Sequence, residues 1–227
     1  MPVEPRVALV IMAKAPRAGQ VKTRLTPTLD HAHAADLYRC FLLDRIEQIA
    51  TFADVRRAIA YFPPDATDTF AAMAPGYELV AQAGAGLSER MIECFGHFFA
   101  LGLDGVVLMD SDSPTLPSAF VRDAARVLAA GDSDVVVGPC EDGGYYLIGL
   151  RAPHPELFVD MPWSTPVVLE ETRKRAVAAS LRVTWLPVWF DIDTGADLPR
   201  LRATLPRAGG PRHTRRFLTE ILPRSSR

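Results

Sequence analysis

The chain has 227 residues, 48% of them hydrophobic, and a formal net charge of −2, enough for one large domain or two small ones around a sizeable core. A charge near zero without a basic stripe argues against nucleic acid as the main partner, and no apolar run approaches the length needed to span a bilayer. Three scattered cysteines (Cys40, Cys94 and Cys140) and an N-terminus lacking a basic start and apolar core point to a soluble cytoplasmic protein with reduced thiols, and His31-x-His33 has no matching pair that would suggest zinc.

In chain order, Val7–Met12 is a continuous apolar run that predicts a first buried strand. It leads into Ala13-Lys14-Ala15-Pro16-Arg17-Ala18-Gly19-Gln20-Val21-Lys22-Thr23-Arg24-Leu25, a loop with Pro16, Gly19 and four cations. Directly after a buried strand, such a loop fits a phosphate cradle better than a merely solvated basic surface. It is not a Walker A loop, because Val21 stands where that motif needs glycine. Of the 25 basic residues only Lys14, Lys22 and Lys174 are lysines, and two of them fall in this loop. From His31 to Ala50, apolar residues recur at helical spacing, including Leu37, Tyr38, Phe41, Leu42, Ile46 and Ile49. Val55–Phe62 reads as a strand stopped by Pro63-Pro64, Thr67–Met73 as a short helix, and Tyr77–Gln82 as another strand. That strand ends in Gln82-Ala83-Gly84-Ala85-Gly86, a turn that lets backbone approach a ligand, before a helix over Leu87–Leu101 with Ser88 as its candidate cap.

Val106–Met109, bounded by Gly105 and then by acid, predicts a buried strand that stops at Asp110-Ser111-Asp112-Ser113-Pro114. Ligands bind beyond the carboxyl ends of strands in open α/β sheets, so Asp110 and Asp112 would border a crevice. Two carboxylates in a short turn can hold Mg²⁺, or the turn can simply cap the next helix. A helix over Ser118–Ala130, a strand from Asp134 to Val137 and a return strand at Tyr145–Ile148 follow. Glu141-Asp142-Gly143-Gly144 between those strands reads as a hairpin turn or a charged loop. The irregular stretch Pro153–Pro166 covers a site or connects surfaces; Val167–Ala179 is a helix and Leu181–Leu186 a strand. Thr194 is an N-cap with Asp197 in the capping-box position, while Asp191 and Asp193 should face opposite ways so that one of them reaches the site. A last helix near His213–Leu222 precedes a loose Pro-Arg-Ser-Ser-Arg tail. Strands alternate with helices throughout, which predicts one α/β domain over residues 1–227 with a mostly parallel sheet, and the Gly143–Trp163 region adding an antiparallel strand.

Lys14-x-Pro16 followed by Lys22-Thr23-Arg24-Leu25 resembles the opening loop of 2-phospho-L-lactate guanylyltransferases. The wider set resembles a related bacterial family more closely, the glycosyltransferase-like selenodomain-associated transferases. It comprises Ala13-Lys14-Ala15-Pro16, Gly19, Val21-Lys22-Thr23-Arg24-Leu25, Leu87-Ser88-Glu89-Arg90-Met91, Ser111-Asp112-Ser113-Pro114, Glu141-Asp142-Gly143-Gly144-Tyr145, Trp163-Ser164-Thr165 and Asp191-Ile192-Asp193-Thr194. The resemblance implies a three-layer GT-A (nucleotide-diphospho-sugar transferase) fold, Rossmann-like, with a mostly parallel central sheet. Two departures stand out. Asp110 replaces a usual glycine, which ranks Asp112 ahead of it, and the turn after Gln82 is longer than the family's by a couple of residues.

What the resemblance implies for chemistry is a nucleotide-dependent transferase. Lys14, Lys22, Arg24 and Asp112 would be catalytic, and Ala13, Lys14, Gly19, Lys22, Thr23, Arg24, Gln82, Glu89 and Arg90 would bind nucleotide. Glu141, Asp142, Gly143, Gly144, Tyr145, Trp163, Ser164 and Thr165 would face the acceptor. Asp112 and Asp193, ahead of Asp110 and Asp191, would hold Mg²⁺ or Mn²⁺. The first expected activity is transfer of an NMP group from an NTP to a phosphorylated small molecule with pyrophosphate release; the second is glycosyl transfer from a nucleotide sugar; the third, from another class, is non-catalytic nucleotide-binding regulation. The expected partners are a nucleotide and a small acceptor, with no nucleic acid and no membrane, and a homodimer is allowed. Trp163 equally suits a core or lid plug, Cys140 a small buried residue, and Asp197 a helix cap.

Overall fold

A computed structural model describes residues 6–26, 28–206 and 209–222. The terminal tail and the first five residues considered above lie outside them. Seven strands form one sheet: β1 (Val7–Lys14), β2 (Arg56–Phe62), β3 (Glu78–Ala81), β4 (Gly105–Met109), β5 (Val135–Pro139), β6 (Tyr145–Leu150) and β7 (Val183–Trp185), in the order β3-β2-β1-β4-β6-β5-β7. All neighbouring pairs are parallel except those of β6, which runs antiparallel to both β4 and β5.

The apolar runs that mark β1 and β4 are continuous because both faces of these strands are covered. Leu9 and Ile11 pack with α1 (His31–Ala50), α2 (Thr67–Met73) and α4 (Ser118–Ala130) on one face. Ala8 and Val10 pack with α3 (Leu87–Ala100) and with Ala176 of α5 (Val168–Ala178) on the other. This is the expected three-layer arrangement. Helices α6 (Leu198–Thr204) and α7 (Arg212–Arg216) complete the chain, and α7 continues into a wider π-type turn over Phe217–Ile221. Among the described residues no helix is long and apolar enough to cross a membrane.

Two local expectations need correction. Ser88 does not cap α3: the Glu89 carboxylate accepts the N–H groups of Ala85 and Gly86, and the Ser88 hydroxyl instead donates to the Phe158 carbonyl at 2.6 Å. A side chain three residues inside the helix does the capping that the position after the glycines was expected to do. The other correction concerns Asp191 and Asp193, described below. By contrast, the Thr194 N–H and hydroxyl both donate to Asp197 Oδ2, at 2.7 and 2.9 Å, closing the capping arrangement read from the sequence.

Strand order reverses direction at β1 and β4: β2 and β3 build outward from β1, and the remaining strands from β4. Such a switch point leaves a crevice at the strands' carboxyl ends. Lys14 closes β1 there and Asp110 follows β4 there.

Candidate active site

Three segments are tied together at this crevice. The Ser111 hydroxyl donates to the Met12 carbonyl at 3.1 Å and shares a 2.8 Å hydrogen bond with the buried Tyr38 hydroxyl, which accepts the Lys14 N–H at 3.1 Å. Helix α1 thus holds the end of β1 against the turn after β4. A second tie comes from the C-terminal part of the chain, where the N–H of the buried Ile192 donates to the Asp112 carbonyl at 3.0 Å.

Lys22 sits at the junction of these segments. Its backbone is left-handed (φ 48°, ψ 36°), a conformation uncommon for a residue with a side chain. That turn drives the ammonium inward: Nζ lies 3.0 Å from Asp112 Oδ1 and 2.8 Å from Asp193 Oδ1, and the side chain is only 6% exposed. Burial opposes the charge, but the Asp112 and Asp193 carboxylates outweigh it and hold Lys22 protonated well above the ordinary lysine range. Arg24 reaches the other oxygen of Asp193 at 3.0 Å from the solvent side.

The crevice has two cavities that share Met12, Leu87, Asp112, Trp163 and Ser164 in their walls. The larger, about 480 Å³, is lined by Ala13, Lys14, Lys22, Thr23, Arg24, Gln82 and Arg90. Gln82 is fixed by donating to the Ala60 carbonyl at 2.7 Å, and Arg90 by its contact with the Gly84 carbonyl and its stacking over the Phe62 ring at 3.9 Å. Lys14, exposed at the mouth, has no carboxylate partner among the described residues. The smaller cavity, about 240 Å³, has the opposite character. Asp110, Asp112, Asp142 and Asp191 enter its wall with Cys140 and a largely apolar remainder including Met91, Tyr145 and Val168, and among the described residues no Lys, Arg or His lines it. Trp163 stands over both cavities, its indole N–H donating to Ser88 Oγ at 2.8 Å and its ring meeting Tyr145 edge-on.

This crowding of acid shows in the proton affinities. Burial pushes Asp110 up to about 7, with Arg45 opposing and Asp112 adding to the shift. Asp191 is raised to about 6, first by burial and then by the Asp193 and Asp142 carboxylates. Burial likewise pushes the Cys140 thiol up, and Asp110 and Asp191 act in the same direction.

Several residues singled out in the sequence stand elsewhere. Glu141 is exposed and paired with Arg200 through both oxygens, outside either cavity wall. Glu89 is engaged in capping α3, and Gly19 turns the loop at φ +76° without lining a cavity. Gly143 supports the hairpin from beneath: at φ +89°, a Cβ would lie 2.1 Å from the Pro166 carbonyl oxygen, so only glycine fits. Gly144, Tyr145, Ser164 and Thr165 do line the smaller cavity. Asp191 lines the smaller cavity and Asp193 the larger, so both border the crevice rather than one of them alone. Residues 190–193 are not strand, so the alternation that would put positions two apart on one face does not apply, and the buried Ile192 between them is held by its N–H to the Asp112 carbonyl.

Sequence reasoning passed over Tyr38 and Arg45. Tyr38 belongs to the apolar stripe of α1, where nothing distinguishes it from a core residue. Arg45 is 2% exposed; it donates to Asp110 Oδ1 at 3.2 Å and the Ser113 carbonyl at 2.7 Å, while Ser113 Oγ donates to Asp110 Oδ2 at 2.5 Å. A charged residue one step before Ile46 on a buried helix face was the available signal.

The seven-stranded, mostly parallel sheet matches the architecture of nucleotide-diphospho-sugar transferase structures. The chain belongs to the bacterial family DUF2064, described as an uncharacterized protein conserved in bacteria, whose model matches residues 45–165. It is 33% identical to a protein of Desulfovibrio desulfuricans G20 described provisionally as a nucleotide-diphospho-sugar transferase; the match covers 96% of this chain and 92% of that one, with a TM-score of 0.84. The fold is shared more distantly with CMP:2-keto-3-deoxy-manno-octonic acid synthetase complexed with CTP (14% identity, 87% and 97% covered, TM-score 0.56). A similar distance separates it from 4-diphosphocytidyl-2C-methyl-D-erythritol synthase (12% identity, 88% and 100% covered, TM-score 0.56). No curated protein sequence matches the chain.

Proposed function

We propose that the protein is a nucleotidyltransferase that moves an NMP group from a nucleoside triphosphate to a small-molecule acceptor and releases pyrophosphate. One observation carries the reading: Asp112 and Asp193 converge on the Lys22 ammonium at the edge of a cavity lined by further cations. The ammonium stands where two hard oxygen donors meet, a donor set that fits Mg²⁺ or Mn²⁺. Asp112 and Asp193 would hold the ion, and when bound it supplies charge neutralisation and orientation of the phosphate oxygens.

The chain's own residues supply the remainder. Lys14, Arg24 and Arg90 offer positive charge to the triphosphate from the rim of the larger cavity. Lys22 would offer its ammonium to the charge that develops toward pyrophosphate. The acceptor body rests against Met91, Tyr145 and Trp163, and its attacking oxygen comes to Asp112, the residue common to both cavities. A phosphorylated acceptor would present its phosphate at that boundary, since among the described residues no cationic side chain lines the smaller cavity. Little covalent chemistry is asked of the protein; positioning and electrostatics carry the rate. The guanylyltransferase-like opening loop and the names of the two synthetases that share the fold support this reading.

Glycosyl transfer is the second reading, favoured by the description of the Desulfovibrio relative and by Asp142 and Asp191 in the smaller cavity, either of which could take a proton from an acceptor hydroxyl. Thermal shift with a panel of nucleoside triphosphates and nucleotide sugars, with and without Mg²⁺, separates the readings, because a ligand that binds only the native state raises Tm. The expected result is stabilisation by a triphosphate that needs Mg²⁺ and is lost in Asp112→Asn, with pyrophosphate as the product of turnover. Stabilisation by a nucleotide sugar alone, with free nucleoside diphosphate as product, selects glycosyl transfer. Nucleotide binding indifferent to Mg²⁺ and to Asp112→Asn overturns both and supports a non-catalytic regulator.

A further inference from the structure

The hairpin between β5 and β6 brings a thiol into the acidic cavity. Beyond β5, the Trp189 N–H donates to the Pro139 carbonyl at 3.0 Å and the Glu141 N–H to the Trp189 carbonyl at 3.0 Å. This parallel bridge between Cys140 and Trp189 sets the register that puts Asp191 beside Cys140 and Asp142. One donor atom from each of the three lies within 4.8 Å of the others. Cys140 is a free cysteine, 7% exposed, and its sulfur has no hydrogen-bond partner among the described residues although it lines the cavity. The Asp191 carboxylate is likewise without a side-chain donor among them, and Asp142 uses one oxygen to accept the Gly144 N–H at 2.9 Å, leaving the other available.

We propose that Cys140, Asp142 and Asp191 form a second metal site, distinct in chemistry from the all-oxygen pair at Lys22. Asp110 and Asp112 in this wall are paired with Arg45 and Lys22, but the partly buried Asp191 has no such partner, and among the described residues no Lys, Arg or His lines the cavity. Buried acids are normally paired with cationic groups or hold metals, and the exposed Asp142 adds its free oxygen beside Asp191 and Cys140. One sulfur and two carboxylates suit a borderline-soft divalent ion such as Zn²⁺ or Co²⁺ and discriminate against Mg²⁺, which demands oxygen ligands in an octahedral shell. Three protein ligands would leave a coordination position for an acceptor oxygen or nitrogen in the cavity that Trp163 also lines. Binding exchanges the thiol proton for a metal–sulfur bond, the proton leaving to solvent.

Co²⁺ titrated into the full-length, chelator-treated protein tests this directly, because a thiolate ligand gives cobalt a near-ultraviolet charge-transfer band. The expected result is a band that saturates at one equivalent, persists in excess Mg²⁺ and in Asp112→Asn, and disappears in Cys140→Ser. Asp191→Asn should weaken Co²⁺ binding by more than about tenfold; this variant keeps the test decisive should Cys140→Ser fail to fold. A wild-type protein without the band, a band that survives Cys140→Ser and so belongs to Cys40 or Cys94, or an unchanged affinity in Asp191→Asn would overturn the site. Mg²⁺-dependent triphosphate binding has no thiol readout, so failure here leaves the nucleotidyltransferase reading to its own test.

Discussion

Replacing Lys22 with methionine removes the cation at the junction while keeping most of the side-chain volume. The two carboxylate oxygens that contact Nζ, at 3.0 and 2.8 Å, are left facing each other. They lie within about 6 Å of one another, where an effective dielectric near 20 gives a repulsion of about 3 kcal/mol. The Asp112 and Asp193 side chains are each 36% exposed, and Arg24 remains on Asp193. Solvent screening and that remaining pair bring the expected loss of stability to about 2 kcal/mol. In a chain of this size, about 2 kcal/mol corresponds to a fall in Tm of roughly 4–8 °C. The same substitution leaves two hard oxygen donors without their cation, so Mg²⁺ should raise the Tm of Lys22→Met more than that of the wild type. Calorimetry in chelator and in excess Mg²⁺ measures both effects. A variant that melts with the wild type in chelator, or whose Tm ignores Mg²⁺, would refute the convergence of Asp112 and Asp193 on one cation.

Arg45→Met should cost about 2–3 kcal/mol in urea unfolding, because it leaves the buried Asp110 carboxyl and the Ser113 carbonyl without their donor, and adding Asp110→Asn should recover part of that loss. Asp191 provides a pH signature: its pKa rises from an ordinary 3.8 to about 6 in the folded chain. The native state therefore binds more protons than the unfolded state between those values, and this group's contribution to stability falls as pH rises through that window. Asp191→Asn should remove the slope and, by about pH 7, be more stable than the wild type by on the order of 1 kcal/mol, read from urea midpoints across the pH range. Lys14→Ala should leave Tm unchanged, since its ammonium pairs with no carboxylate among the described residues, yet weaken triphosphate binding by about tenfold in calorimetric titration.

The elements most legible in the sequence were those where one physical signal dominates. Apolar runs with both faces buried, Val7–Met12 and Val106–Met109, read as strands at once, and α1, α2 and α4 begin and end at the residues the periodicity and flanking prolines indicate. The antiparallel sense of β6 followed from the short turn before it. Side-chain direction in loops was far less legible. Glu141 and Asp142 are adjacent and chemically alike, but one pairs with Arg200 in solvent and the other enters a cavity wall, a difference decided by the register of the hairpin against Trp189. Likewise Glu89 looked like a ligand residue and serves as a cap, because a carboxylate three residues into a helix lies within reach of the preceding amides.

The division of the crevice into a cationic and an acidic half follows from topology. With β1 and β4 parallel, the loop after β1 and the turn after β4 must emerge at the same end of the sheet, so the Lys22 loop meets Asp112. Were β6 also parallel, its N-terminal residue would lie at the opposite end, far from these groups. β5 runs in the same sense as β4, so the Cys140–Gly144 hairpin leaves it at the ligand end, and because β6 returns antiparallel between them Tyr145 starts there too and Asp142 joins Asp112 in the cavity wall. The segment carrying Ile192 then pairs with Asp112 and passes Asp191 to one half and Asp193 to the other. The parallel strands β1, β4, β5 and β7 thus deliver both the cationic loop and the acids to one end of the sheet, and Asp112, at the border, is the one acid among the described residues that lines both halves.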